Sequence, residues 1–278
     1  MIVDIHTHLI EYGSEMSDHL KADINRCFTV NKWIYTKEDF ERDTAAADVV
    51  FVFGIRAQAT GWLSDNERIA GFARTSPRYI FAASVDPLDE DFMEQLTYYH
   101  TKLNAKMIKL GPIYQGVHPL DERYKRMYDY CQRNDLPIIT HMAATFSSGV
   151  PLEWARPALM DEVSCLYPDL KIILAHLGHP WESEAITAIR KQPNLYADIS
   201  ALYYRPWQFY NTMRLLEEYG AQEKVFFGSD YPATTTQQSM DGIRGVNRIL
   251  EGTALPRVSG ELIEGIIHRN PIDILGIS

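Results

Sequence analysis

Three cysteines in 278 residues are too few, and too far apart, to staple a fold. Cys27, Cys131 and Cys165 form no Cys-x-x-Cys pair, so the chain carries neither a disulfide framework nor a thiolate metal site. The odd count predicts free thiols in a reducing compartment, each a small buried hydrophobe. An excess of positive charge is missing too. The formal net charge is −10, which argues against nucleic acid and against an anionic membrane surface as partners. No run approaches the ~20 apolar residues that cross a bilayer, and no basic stretch followed by an apolar one opens the sequence. No Gly-x-Gly-x-x-Gly follows a strand-like run, which removes the usual dinucleotide fingerprint. Linkers, composition breaks and low-complexity tracts are also lacking. Together these absences predict one cytoplasmic domain, residues 1–278, acting on a small-molecule substrate; a homo-oligomer stays open.

What is present is a full core and a rhythm. Apolar residues make up 46% of the chain and charged residues 23%, the balance of a globular protein. Apolar strand-like runs recur at residues 2–9, 48–55, 79–85, 105–110, 136–142, 171–177, 194–201 and 224–230. Segments with helical periodicity and capping signals separate them, such as Thr36-Lys37-Glu38-Asp39 and Ser64-Asp65-Asn66-Glu67. Asn270-Pro271 reads as an N-cap followed by proline at the first helical position. Near-continuous apolar strands alternating with amphipathic helices predict a parallel sheet covered by helices. Eight such units at this length predict an α/β fold, the closed (β/α)8 TIM barrel, with a doubly wound open sheet as the alternative. The first loop, residues 10–35, is irregular, rich in aromatics (Tyr12, Trp33, Tyr35), and too long for idle connection, so it reads as a lid.

The chemistry gathers at strand ends. Asp4, His6 and His8 alternate with Val3, Ile5 and Thr7, a period of two that puts both imidazoles on one face of a strand with Asp4 beneath them. Two converging neutral imidazoles are ready ligands for a divalent metal such as zinc. In a parallel barrel the working residues lie at the C-terminal ends of strands. Those ends supply, in order, His6 and His8, Arg56, Lys109, His141, His176 and Asp230. Four histidines, a lysine and an aspartate on one rim are hard to explain as packing. Asp4, costly to bury unpaired, is expected to orient a metal ligand through a hydrogen bond.

His6-x-His8 after a first strand, His141 in Ile-Ile-Thr-His, His176 in Ala-His-Leu-Gly and Asp230 in Gly-Ser-Asp-Tyr-Pro resemble the amidohydrolase superfamily. The nearest likeness is the branch that includes aminocarboxymuconate-semialdehyde decarboxylase and the resorcylate decarboxylases. The resemblance implies a TIM barrel with a divalent metal at its mouth. It also implies two candidate arrangements. In one, His6, His8, His141 and Asp230 hold one metal, Zn2+ or Mn2+, and His176 is free as an acid or base. In the other, a carboxylated Lys109 bridges a second metal held by His141 and His176. The first is preferred because the resembled branch mostly works that way. Such an ion lowers the pKa of its water from 15.7 toward about 7, with Asp230 and His176 as the proton-handling catalytic pair. Arg56 and Lys109 are expected to receive a substrate carboxylate, and Tyr114 to line the pocket. The leading expectation is a metal-dependent hydrolase of a small carboxylate-bearing ester, lactone or amide. The alternative is a non-oxidative carboxy-lyase of a small aromatic or dienoic acid.

Overall fold

The computed structural model describes residues 1–28 and 35–277, so Trp33 of the expected lid lies outside the described residues. Eight parallel strands form the barrel: β1 (Val3–His8), β2 (Val49–Phe53), β3 (Tyr79–Ser84), β4 (Met107–Leu110), β5 (Ile138–His141), β6 (Ile172–Ala175), β7 (Leu195–Asp198) and β8 (Val225–Phe226). Each expected run contains one of them. Closure comes from β8 meeting β1. Ile5 N donates to Phe227 O at 3.2 Å, His8 N to Tyr231 O at 2.8 Å and Asp230 N to His6 O at 2.9 Å. The alternative open sheet is thereby excluded; the fold is a (β/α)8 barrel.

Strand alternation sorts the apolar residues into two layers. Val50, Val52, Ile108, Ile138 and Leu174 face outward and pack beneath the helices. Phe51, Phe53, Met107, Ile139, Ile173 and Phe226 fill the barrel interior. Each such fully buried side chain contributes about 1.5–3 kcal/mol relative to exposure. The short helix Pro271–Leu275, capped by Asn270 as expected, closes the end formed by the strand starts, with Ile272 and Leu275 packed on the inner layer. The opposite end is left for the site.

Three local readings change. The β1–β2 register slips by one residue between Asp4 and Thr7, a bulge. Asp4 stands opposite outward-facing Val50, whereas His8 stands opposite inward-facing Phe53. The histidines therefore turn into the barrel while Asp4 turns away from it. The helix of residues 66–73 is capped by Asp65, not Ser64, whose hydroxyl accepts from Ile55 N instead. The first loop contains a helix, Asp18–Cys27, capped by Ser17, with Leu20 and Ile24 four residues apart on its buried face. Among the described residues no helix is long and apolar enough to cross a membrane.

Candidate metal centre

The floor of the site is built from hydrogen bonds that fix which nitrogen of His6, His141 and His176 is bare. His6 Nδ1 lies 2.8 Å from Asp198 Oδ2. An ionised carboxylate only accepts, so Nδ1 carries the proton and Nε2 keeps its lone pair. That lone pair faces His8 Nε2 at 3.1 Å, Asp230 Oδ1 at 3.3 Å and Lys109 Nζ at 3.3 Å. His8 Nε2 is 3.5 Å from the same Asp230 oxygen, and its Nδ1 is buried without a partner. Tetrahedral bonds of 2.0–2.2 Å would set ligand atoms about 3.3–3.6 Å apart. The donor types and their spacing thus fit one divalent cation between His6, His8 and Asp230.

A second pair of imidazoles lies beside the first. His141 Nε2 donates to Ala143 O at 3.1 Å, leaving Nδ1 bare. Ser200 Oγ donates to Asp198, so it can only accept from His176 Nδ1, 2.8 Å away, and His176 Nε2 is bare as well. The two lone pairs face each other at 3.2 Å. His141, placed by sequence with His6, His8 and Asp230, is turned toward His176, because Ala143 O holds one side of its ring and Tyr114 packs at 4.7 Å on it.

Asp198 organises both pairs. It accepts from His6 Nδ1, from Ser200 Oγ, and from the backbone N–H groups of His176 and Ser200, each at 3.0 Å. The sequence suggests Asp198 only as a partner for Lys109 inside the barrel, and gives Ser200 no role. The available signal was the alternation of Tyr196, Asp198 and Ser200 into the barrel at the end of β7. The chain also approaches His6 closely at Gly228, where a Cβ would lie 2.8 Å from that of His6. Both His176 (φ 59°) and Asp230 (φ 60°) hold left-handed backbone. Such strain costs on the order of 1–3 kcal/mol each, and it is held by the bonds from His176 N to Asp198 and from Asp230 N to His6 O.

Burial dominates the electrostatics. It keeps His6, His8 and His176 well below the ordinary histidine range and pushes His141 down to about 3, so all four rings are neutral. Burial raises Asp230 while the Lys109 ammonium opposes the rise. It lowers Lys109 against the attraction of Asp198 and Asp230.

Asp4 does not touch the rings. Its oxygens accept from Ser229 N at 2.9 Å and Thr236 Oγ1 at 2.7 Å, which pins the residue next to Asp230 from outside the barrel. Its expected bond to a metal ligand is made only at the backbone, where His6 N donates to Asp4 Oδ1 at 3.4 Å, while the bulge turns the carboxylate away from the rings. The two cations expected at a substrate carboxylate are both committed elsewhere. Arg56 is clamped by Asp89 at 2.5 and 3.1 Å, and Lys109 lies buried beneath His6 and over Phe53.

Above the floor opens a cavity of about 570 Å3, which Arg56 and Lys109 do not line. His8, His141, His176 and Asp230 form its base, and Tyr114 is in its wall. The first loop supplies Ile10, Tyr12, Met16, Ile24 and Phe28, so it covers one side of the cavity as a lid would.

A family model described as Amidohydrolase matches residues 3–277. The chain belongs to the amidohydrolase family. Solved structures share the fold at low identity. An uncharacterised TIM-barrel protein from Bordetella bronchiseptica is 20% identical, with TM-score 0.77 over 99% of this chain and 98% of that one. A probable 2-pyrone-4,6-dicarboxylic acid hydrolase from Acinetobacter baumannii is 13% identical, with TM-score 0.66 over 99% of each chain. A dihydroxybenzoic acid decarboxylase from Polaromonas, with bound manganese, is 14% identical, with TM-score 0.64 over 99% and 96%. A search of curated proteins gives no match.

Proposed function

We propose that this amidohydrolase is a metal-dependent hydrolase of a small ester, lactone or amide. The observation that carries the reading is the floor itself: the bare Nε2 of His6 and the Nε2 of His8 meet an Asp230 oxygen at metal-ligand spacing, at the base of a substrate-sized cavity. His6, His8 and Asp230 would hold one divalent cation, Zn2+ or Mn2+; His141 Nδ1, which faces His176, would have to turn toward that cation to serve as the fourth donor. When bound there, the ion supplies positive charge that polarises a carbonyl and acidifies a water.

The chain's own groups then handle protons and position. Asp230 accepts the proton that the attacking water gives up as its oxygen bonds to the carbonyl carbon. His176 Nε2, bare in this tautomer, is a second acceptor on the floor. The proton that Asp230 has taken up is delivered, directly or through His176 Nε2, to the leaving oxygen or nitrogen as the carbon–heteroatom bond breaks. Asp198 fixes the rings of His6 and His176 through shared hydrogen bonds, so neither has to reorient during the reaction. Tyr114, in the cavity wall, would touch substrate.

A second reading, a carboxy-lyase, draws support from the aromatic walls and from the decarboxylase among the structural neighbours. There the substrate carboxylate would occupy the floor, and a protonated floor residue would deliver the proton to the carbon that CO2 leaves. Incubating metal-loaded protein with a panel of lactones, esters, amides and aromatic carboxylates separates the two. Release of acid or amine supports the hydrolase. Release of CO2 with no hydrolysis replaces it by the lyase.

A further inference from the structure

The cavity has its polar groups at one end. Its floor is the histidines and Asp230, while Ile10, Met16, Ile24, Ile55, Trp62 and Phe146 make walls without charge. Among the described residues that line it there is no lysine or arginine. Of the basic residues around the rim, Arg56 is held in a two-point bond to Asp89, Lys109 is buried under the floor, and Arg205 lies over the ring of Tyr204 at 4.6 Å with its guanidinium donating to Ala201 O at 2.6 Å. What the walls offer instead of charge is phenol. Tyr12, Tyr114 and Tyr204 line the cavity, where burial raises their pKa values and the negative charge of Asp230 adds to the rise. They therefore stay protonated, as uncharged hydrogen-bond donors.

From this layout we infer that the site takes substrates with one polar head and an uncharged, aromatic or branched apolar body, and discriminates against a second carboxylate. The inference rests on the proposed metal floor for the position of the head group. It does not depend on which bond is broken. A ligand bearing a second carboxylate would have to bring that charge against the apolar walls or leave the cavity. Either way it forfeits solvation that no cation on these walls returns. A ring, by contrast, meets Trp62 and Tyr114, themselves packed edge to face with centroids 5.6 Å apart.

The test compares two ligands that differ only in the second charge, 4-methylbenzoate and terephthalate, binding to metal-loaded protein by calorimetry. Both offer the same carboxylate head, and neither needs to react. The expected result is that 4-methylbenzoate binds at least about tenfold more tightly, equivalent to ~1.4 kcal/mol. Phe28, half-exposed at the cavity wall, then provides the converse: Phe28→Arg should bring the two affinities within about twofold by supplying the missing cation. Terephthalate binding as tightly as 4-methylbenzoate to the unaltered protein would overturn the inference. So would a failure of both to bind. Absence of hydrolysis across an ester and lactone panel, with the binding preference intact, would remove the hydrolase reading and leave this one standing.

Discussion

The floor and the walls of this cavity are made by different parts of the chain and held by different forces. The floor residues sit at or near the ends of barrel strands, and buried hydrogen bonds hold them: His6 and His176 to Asp198, His141 to Ala143 O and Asp230 to His6 O. The walls come largely from loops, above all residues 10–28, and are held by apolar contact among Ile10, Met16, Leu20, Ile24 and Trp62. Directional bonds at the floor set the chemistry to within fractions of an ångström. Non-directional packing at the walls sets a shape and a polarity, so it governs what enters and leaves the reaction itself alone.

If that division holds, changes at the floor should act on turnover and metal binding, with the larger effects. Asp230→Asn should lower kcat by about 10²–10⁴-fold, and His176→Asn by at least about 10²-fold while the metal stays bound. Steady-state kinetics with metal analysis of each variant checks this, and loss of metal from His176→Asn would move that ring among the ligands. Asp198→Asn, which puts an amide where His6 and His176 need an acceptor, should weaken metal affinity by about 10–100-fold in a chelator competition. Unchanged affinity would mean that Asp198 does not set the tautomer of His6.

The metal-free protein should also register the floor through pH. Four imidazoles are held neutral in the folded state, whereas unfolded histidines titrate near about 6.5. The unfolded chain therefore binds more protons below that pH, and the stability of the metal-free fold should fall steadily from pH 7 toward pH 4. Denaturant midpoints that stay flat across this range would show that the rings are not buried neutral. At the walls the effect should be smallest and of another kind. Ile24→Ala should raise KM several-fold with kcat nearly unchanged, and a matching fall in kcat would dissolve the distinction between the two regions.

The same division explains what the sequence could reveal. Strand residues announce themselves by period and by terminal position, which is why the sequence alone puts His6, His8, His141, His176 and Asp230 at one barrel mouth. Long-range partnerships leave no such mark. Nothing local says that Asp89 clamps Arg56 or that Asp198 receives His6 across 192 positions of sequence. Nor does alternation survive a bulge: one extra residue between Asp4 and Thr7 sends Asp4 outward to Ser229 and Thr236, against the period-two reading. The wall-forming helix Asp18–Cys27 was hidden for a related reason. Only two of its residues, Leu20 and Ile24, carry its apolar face, with Asp23 buried beside them by the hydrogen bonds it accepts from Ser148 and Arg26.

The most direct test of the account is a crystal of the protein grown with stoichiometric Zn2+ or Mn2+, with the ion located by its anomalous scattering. The account predicts one strong peak bonded to His6 Nε2, His8 Nε2 and a carboxylate oxygen of Asp230, at about 2.0–2.2 Å. A peak elsewhere in the molecule, or full turnover after exhaustive chelation, would contradict it.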